Sequence, residues 1–335
     1  MPGILFSAIY YIIALATLII VSGAITLSRG EIKGDLDAGS AEEAVDAFKE
    51  DRVWAAGGEL GAYLFFGNFF QVLGLQWTTV DRAAFIVQLT TVIVPCLEAS
   101  VLFANKPLSA RTWIGCLLAA VGVLVLSSES VDQISPGALS VDTSIYSLFQ
   151  GAQGDALVAV AALFYSIHVI RLGSIAPNVP PLRLAVAKAC FETLYALATL
   201  ILIAVCSTTG LSSGFPLLPE QNGGWLAAHF PPAEDMEVFA AAVAGGAVPG
   251  SEWNAIVSAA LWCGVMTCAY TIWAQSFGQR DVRPADANLI YTSQPIFSAA
   301  IAALWLGETL TPQGLVGGGI IIVALLVSIA PSISA

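Results

Sequence analysis

Polar residues at helical spacing inside apolar segments are the groups of this sequence that could do chemistry. Two segments each contain four such residues at i, i+3, i+7 and i+10, a spacing that places them on one face of an α-helix. The first set is Gln88, Thr91, Pro95 and Glu98, and the second is Asn288, Tyr291, Pro295 and Ser298. The amide, hydroxyl and carboxyl groups of such faces can bind a polar solute, and a carboxyl group can also exchange a proton.

The segments around these residues are too apolar for a soluble protein. Of the 335 residues, 57% are hydrophobic and 11% are charged, and the mean hydropathy is +0.81. A membrane-spanning helix needs about 20 mostly apolar residues, whereas the strands of a β-barrel would alternate over about 10. We therefore predict an all-α fold, a multi-pass bundle of transmembrane helices. Its nine spans lie at about 4–27, 54–77, 83–104, 111–127, 154–171, 182–206, 253–277, 285–306 and 312–330.

Basic residues are concentrated in every second predicted loop. Ten Lys and Arg residues lie in alternate loops, whereas the other loops contain only Arg82. The positive-inside rule places the basic loops and the C-terminus on the cytoplasmic side or its organellar equivalent, and Met1 on the other side. Whether this is a plasma membrane or the membrane of an organelle such as a plastid stays open. The acidic segment after the first span is predicted to be a solvated linker with a short surface helix around Ala41–Arg52.

The chain follows one plan twice, in opposite orientations. The turns at Asn105-Lys106 and Gly307-Glu308 fall in register, but the charge pattern places the first inside and the second outside. Inverted repeats need an odd number of helices each, so we expect that a helix upstream of Met1 is missing, through a shortened gene model or a real loss. The predicted organisation is a first repeat at 1–127 with four spans, an outer loop at 128–153, and a second repeat at 154–330 with five spans and an outer loop at about 207–252.

Several stretches of the two repeats have the pattern of a known family. They include LGLQWTTVDRAAFIVQLTTVIVPCLEAS in the first repeat, and GDALVAVAALFYSIHVIRLGSIAP and PIFSAAIAALWLGETLTP in the second. In these stretches the chain resembles the EamA family of the drug/metabolite transporter superfamily, over nearly all of residues 54–330 apart from the outer loops. The resemblance implies a carrier built from two inverted units of five helices. It also implies that Gln294 stands where the family commonly has a glutamate before the proline.

Glu98 and the two prolines each allow two interpretations. A carboxylate in the middle of a span costs about 2.5–3.5 kcal/mol on insertion scales, so Glu98 should face the bundle interior. There it either exchanges a proton that is coupled to transport, since a low dielectric favours the neutral acid, or acts as a paired structural residue. For Pro95 and Pro295 we favour a cavity-lining role over a simple packing kink, because polar side chains share their helix face.

The remaining candidates lie mostly in pairs at helical spacing. Lys188 and Glu192 neutralise each other in the interpretation that we favour, whereas a Lys188 that faced a cavity would meet an anionic substrate. For the aromatic and histidine residues, hydrogen bonding between helices or anchoring at the membrane interface is the alternative to ligand contact. The candidate substrate-binding residues are Gln88, Thr91, Glu98, Asn288, Tyr291, Gln294, Lys188, Tyr165, His168 and Tyr270, with Pro95 and Pro295 as helix kinks.

These features favour a secondary carrier that moves a small polar or amphipathic metabolite, such as an amino acid or an organic acid, by alternating access. The partners that we consider are the solute, the lipid bilayer, a coupled proton and a second copy in a homodimer, but not nucleic acid. The alternatives are a non-transporting interaction protein or an inactive truncated paralogue. The single deep lysine argues against a sugar-phosphate or nucleotide-sugar carrier, whose phosphates would need several cations.

Enzymatic chemistry is not expected from this sequence. The chain has two histidines, and its spans contain neither an HExxH nor a GxSxG motif. The six cysteines have no paired spacing, so we predict no disulfide, no metal site and no cofactor.

Overall fold

The computed structural model describes residues 3–30, 41–78, 80–100, 108–132, 145–208, 251–301, 304 and 312–329. These residues form helices joined by short turns, and no β-strand occurs among them, which confirms the all-α fold. A π-helical segment at Cys263–Tyr270 joins the helix that ends at Trp262 to the helix that begins at Thr271. The helices are α1 (Gly3–Gly30), α2 (Ala41–Gly74), α3 (Val80–Val87), α4 (Thr90–Ala99), α5 (Ala110–Asp132), α6 (Ile145–Ile175), α7 (Pro181–Thr208), α8 (Ser251–Trp262), α9 (Thr271–Gly278), α10 (Pro284–Tyr291), α11 (Gln294–Ile301) and α12 (Pro312–Ile329).

Within the described residues, each predicted span overlaps one of these helices or consecutive helical segments, and the ends of the third and eighth spans, 101–104 and most of 302–306, lie outside the described residues. Long apolar runs form helices because an α-helix satisfies its backbone hydrogen bonds within the segment, as lipid requires. Two shorter apolar helices lie at Ala110–Val125 and Gly314–Val327. The described segments that are long and apolar enough to cross a membrane are Gly3–Ile25, Arg82–Ala99, Gln153–Asn178, Pro181–Leu202 and Ile256–Gly278.

One compact unit comprises Met1–Phe65 and Asn178–Phe277. In it, α1 packs along α7 and against the π segment. The first part of α2 approaches α7 so closely that a Cβ atom at Gly57 would lie 2.4 Å from the Cβ of Ala187. Gly57 and Gly61 have the small-xxx-small spacing that lets two membrane helices bring their backbones together.

A second compact unit comprises Phe66–Pro177 and Gly278–Ala335. Here α5 packs along α12, and α4 packs against α6 and α10. Alanine side chains at the first contact allow the two helices to lie close together. The buried core residues are Ala119, Ala324 and Leu289 for the first group of contacts, and Val94, Val169 and Ile170 for the second.

Three helices extend further than the sequence predicts. α2 runs without interruption from Ala41 to Gly74, where a separate surface helix was expected to end near Arg52. No proline or glycine lies between Ala41 and Trp54, so nothing ends the helix at that point. α5 and α6 likewise occupy both ends of the predicted outer loop at 128–153.

Candidate functional site

Two transmembrane segments of the second unit are interrupted, one between α3 and α4 and the other between α10 and α11. At both points the backbone bonds shorten to the i to i−3 spacing of a 3-10 helix. The N–H of Leu89 donates to the C=O of Ile86, and the N–H of Ser293 donates to the C=O of Ile290, each at 3.0 Å. Interrupted helices in membrane carriers present backbone groups to a binding cavity.

Hydroxyl groups satisfy the backbone around these interruptions. Thr292 Oγ1 donates to the C=O of Asn288 at 3.0 Å, and Ser293 Oγ donates to the C=O of Ile290 at 2.6 Å. Thr91 Oγ1 lies 2.9 Å from Thr292 Oγ1, and both threonines are buried. The structure therefore brings the two interruptions, one from each predicted repeat, into direct contact.

The two prolines occupy different positions relative to the interruptions. Pro295 is the second residue of α11, where a missing backbone N–H costs little because the first helical turn has no internal acceptor for it. Pro95 lies in the interior of α4 and is buried. Pro295 therefore favours the start of a half-helix, whereas Pro95 removes a hydrogen bond inside one.

Glu98 is buried and contacts the start of a neighbouring helix. Its exposed fraction is 2%, and its Oε2 accepts a hydrogen bond from the backbone N–H of Ala285 at 2.8 Å. Ala285 follows Pro284 in the first turn of α10, where backbone N–H groups have no partner within the helix. The positive end of the helix dipole favours a carboxylate at this position. Glu98 thus fixes α10, and protonation of the carboxylate would weaken the contact.

Three further candidates lie inside the second unit. Tyr165 donates its hydroxyl hydrogen to Gln71 Oε1 at 2.8 Å, so α6 is linked to the end of α2. His168 and Asn288 are buried, with exposed fractions of 2% and 5%. Polar groups buried in membrane segments face the protein interior, as these three do.

The other candidates of this unit are less enclosed. Gln88 and Tyr291 are half-buried, and the ring of Tyr291 packs against the core residue Val94 and its neighbours. Gln294 is exposed, and so is Ser298, which the i, i+3, i+7 and i+10 spacing placed on the face of Asn288 and Tyr291. The interruption between α10 and α11 changes the helical phase, so residues on either side of it do not share one face.

The buried charges of the first unit both lie on α7. Lys188 is 0% exposed and Glu192 is 1% exposed, one helical turn further along. Neither Lys188 Nζ nor Glu192 Oε1 has a hydrogen-bond partner among the described residues, and Cys268 Sγ approaches Glu192 Oε2 at 4.0 Å. A buried charge without hydrogen bonds costs on the order of several kcal/mol. The pair therefore contains two polar atoms whose hydrogen bonds are left unmade among the described residues.

Neighbouring segments enclose the Lys188–Glu192 pair. α2 closes one side at Gly61, where a Cβ atom would lie 3.0 Å from the backbone oxygen of Lys188. α1 contributes the carbonyl oxygen of Tyr11, which accepts a hydrogen bond from Thr193 Oγ1 at 3.2 Å. Since the pair is almost fully buried, its charged atoms are shielded from the surroundings of the unit in this conformation.

The sequence analysis named Tyr270 as a cavity candidate, and it did not name Thr292 or Cys268 as one. Tyr270 is 55% exposed, and its ring lies 6.0 Å from that of Trp273. Thr292 was not a candidate, although a Thr-Ser pair directly before Gln294 and a proline is a usable signal of a helix break. No sequence signal indicates the contact between Cys268 and Glu192, because these residues are 76 positions apart.

Comparison with known families decides the class of protein. A sequence model of the EamA-like transporter family matches residues 40–128 and 238–330, more than half of the chain. The chain belongs to the EamA-like transporter family. This EamA-like protein is therefore a multi-pass integral membrane transporter of the drug/metabolite transporter superfamily, as the sequence resemblance predicted.

Other comparisons add information on the fold of this EamA-like transporter. A search of curated proteins finds no match. A solved crystal structure matches 98% of this chain and 88% of its own, with a TM-score of 0.59 and 17% sequence identity. At that identity the similarity concerns the fold alone.

The segments matched to the EamA-like family include some parts of the candidate site but not others. Thr91, Glu98 and Thr292 lie within the matched segments, so the interrupted helices belong to the matched parts of the chain. Lys188 and Glu192 lie between the two matched segments. The buried charge pair is therefore a feature of this EamA-like chain that the family match does not describe.

Proposed function

We propose that this EamA-like transporter is a secondary carrier that moves a small polar or amphipathic metabolite by alternating access. The observation that carries the proposal is the buried Lys188–Glu192 pair, whose Nζ and Oε1 atoms have no hydrogen-bond partner among the described residues. Charged groups in a membrane interior are costly and mark functional sites. A solute that completed their hydrogen bonds would remove that cost.

The two charges indicate which chemical groups the solute carries. Lys188 Nζ has three donors and attracts an anion, whereas Glu192 Oε1 accepts hydrogen bonds from an ammonium, amide or hydroxyl group. A solute with a carboxylate beside a donor satisfies both, as an amino acid or a hydroxy acid does. A phosphate group would favour several cations or a bidentate arginine over one lysine.

The interrupted helices supply elements that can move during alternating access. The half-helices α10 and α11 are joined through only a few 3-10 bonds, and such junctions can absorb a change of angle. The Glu98 carboxylate holds the start of α10 through the N–H of Ala285. In the proposed cycle, protonation of Glu98 releases α10, which couples a proton to the change of access.

Uptake of a labelled panel of amino acids, organic acids, nucleosides and sugars into liposomes tests the carrier. We expect uptake of solutes that carry both a carboxylate and a donor. The double variant Lys188→Met/Glu192→Gln removes both charges and should slow uptake at least about tenfold, the effect of losing 1.4 kcal/mol of binding. Leu194→Met, at an exposed position of the same helix, is the matched control.

The outcomes of this assay separate the site from the function. Normal uptake by the double variant would show that the Lys188–Glu192 pair does not bind the solute, while the carrier itself would stand. No uptake of any solute by the native protein, in liposomes where its folding has been verified, would contradict the carrier.

Proton coupling is tested at Glu98. Glu98→Gln keeps an oxygen acceptor for the N–H of Ala285 but cannot exchange a proton. We expect it to abolish uptake driven by a pH gradient and to spare exchange of solute between the two sides. Equal loss of both activities, or of neither, would argue against coupling at this residue.

A non-transporting membrane interaction protein is the second candidate. The exposed amide of Gln294 favours it, because this side chain shares α11 with the exposed Phe297 and Ile301, and lipid offers no hydrogen bonds to an amide. The same uptake assay separates the candidates, since such a protein would bind a partner helix and move no solute.

A further inference from the structure

A pocket of about 340 Å³ lies in the first unit, between α1, the start of α7, the π segment and α9. Its volume falls within the range of about 300–1,000 Å³ that is typical of ligand sites. Its lining is almost entirely apolar, and polar atoms come from few side chains, such as Thr17 and Tyr270. The pocket therefore suits a hydrocarbon group and is separate from the buried Lys188–Glu192 pair.

The π segment builds one wall of the pocket. It contributes Val265, Met266 and Tyr270, and its wider turn spreads side chains that an α-helix would stack more closely. The hydroxyl of Thr271, the first residue after the segment, hydrogen-bonds to backbone oxygens of Thr267 and Cys268. The backbone N–H of Thr271 also donates to the C=O of Cys268, so the end of the π segment is hydrogen-bonded locally.

The pocket opens toward the surface of the unit. Three of its lining residues, Val21, Met266 and Tyr270, are 42%, 41% and 55% exposed, and they lie in segments that cross the membrane. The hydrocarbon chains of the lipid bilayer therefore have access to the pocket from that side. Thr17 and Ile25 mark the ends of its α1 wall, and eight residues of α-helix rise about 12 Å. This length is close to half of the hydrocarbon core of about 30 Å, which is one leaflet.

A basic residue directly follows one of the residues that line the pocket. Leu182, at the start of α7, lines the pocket, and Arg183 follows it and is exposed. Arg183 forms no ion pair with another residue in the described part of the chain. Arg183 lies in the first turn of α7 and flanks one of the predicted basic loops. The exposed guanidinium of Arg183, in the same turn of α7 as the lining residue Leu182, is complementary to an anionic headgroup whose acyl chain occupies an apolar groove of one-leaflet length.

We propose that this pocket binds one acyl chain of an anionic phospholipid from the leaflet next to the basic loops, with the lipid phosphate at Arg183. The site is independent of the proposed carrier activity. It gives the protein a lipid that bridges α1, α7 and the π segment, and so a means by which membrane composition acts on the first unit.

Native mass spectrometry of the full-length protein tests the proposal with phosphatidylglycerol and phosphatidylcholine as probes. Arg183→Gln should lower the preference for phosphatidylglycerol about fivefold, the effect of one basic residue near an anionic surface. Met266→Trp fills the pocket and should reduce binding of both lipids. Leu326→Trp, at an exposed site in the second unit, is the matched control and should leave both unchanged.

A phosphatidylglycerol with a photoreactive acyl chain gives a measurement that does not depend on variants. We expect labelling within residues 17–25 and 265–273. Labelling that is confined to other segments, or native binding of both lipids by Met266→Trp, would overturn the proposal. Loss of solute uptake in Met266→Trp with unchanged lipid binding would also overturn it, since the pocket would then hold the transported solute.

Discussion

The buried carboxylate of the second unit is hydrogen-bonded to the backbone, whereas the buried charges of the first unit include atoms that have no hydrogen-bond partner among the described residues. Glu98 accepts a bond from the N–H of Ala285, but Lys188 Nζ and Glu192 Oε1 have no partner among the described residues. A hydrogen-bonded charge holds helices together, whereas a buried charge with unmade hydrogen bonds costs stability. Gln279, buried in the second unit with both amide atoms unpartnered in the described part of the chain, is an uncharged and therefore less costly exception.

The largest effect on stability is expected when one member of the charge pair is removed. Lys188→Met leaves Glu192 buried without its counter-charge and should destabilise the protein by about 3–5 kcal/mol. Lys188→Met/Glu192→Gln should return the stability close to the native value. Thermal unfolding of the purified protein in detergent measures both. A double variant as unstable as the single one would mean that the two charges do not depend on each other, and the comparison would fail.

The next largest effect concerns the close packing of α2 against α7, the helix that bears the Lys188–Glu192 pair. Gly57→Ala places a Cβ atom 2.4 Å from the Cβ of Ala187 and should cost about 3 kcal/mol through overpacking. The same change at Gly23, which has nothing within 4 Å, is the matched control and should not lower stability. Equal melting temperatures for the two variants would show that α2 can move away from α7 without cost.

In the second unit the corresponding test is removal of the satisfied carboxylate. Glu98→Ala leaves the N–H of Ala285 unpaired in a buried position and should cost about 2 kcal/mol. Glu98→Gln retains an acceptor and should lose less than half of that. Both values come from unfolding in detergent. If Glu98→Ala were as stable as the native protein, the hydrogen bond would not position α10.

The smallest expected effect concerns the hydroxyl contact between the two interruptions. A double-mutant cycle of Thr91→Val and Thr292→Val should give a coupling energy of about 0.6 kcal/mol, the average for hydrogen bonds between membrane helices. Thr17, whose hydroxyl bonds within its own helix, serves as the control, and its combination with Thr91→Val should be additive. A coupling energy equal to that of the control pair would show that the contact between Thr91 and Thr292 does not contribute to stability.

Hydrophobic length was sufficient to predict the helices, because every backbone group of a membrane span must be satisfied within it. Where the prediction of α2 differed, the reason is local. The acidic composition of the residues before Trp54 indicated a linker, but their helix propensity and the absence of a breaker let the helix continue from Ala41.

The candidate site could be predicted only in part from residue spacing. Glu98 and Asn288 are buried as their helical face indicated, while Ser298, at the end of the second predicted face, is exposed because an interruption lies between it and Asn288. A periodicity of 3.6 residues holds only as long as the helix is continuous. The i, i+4 spacing of Lys188 and Glu192 favours mutual neutralisation, but the positions of their terminal atoms depend on packing against other segments.

The π segment determines the shape of this span but not its ability to insert into the membrane. Deleting a single residue between Cys263 and Tyr270 would favour ordinary α geometry and would remove the wider turn that spreads the side chains of Val265, Met266 and Tyr270. The span would still be long and apolar enough for insertion. Insertion into the membrane therefore depends on composition alone, whereas the shape of the lipid-facing wall depends on the count of residues.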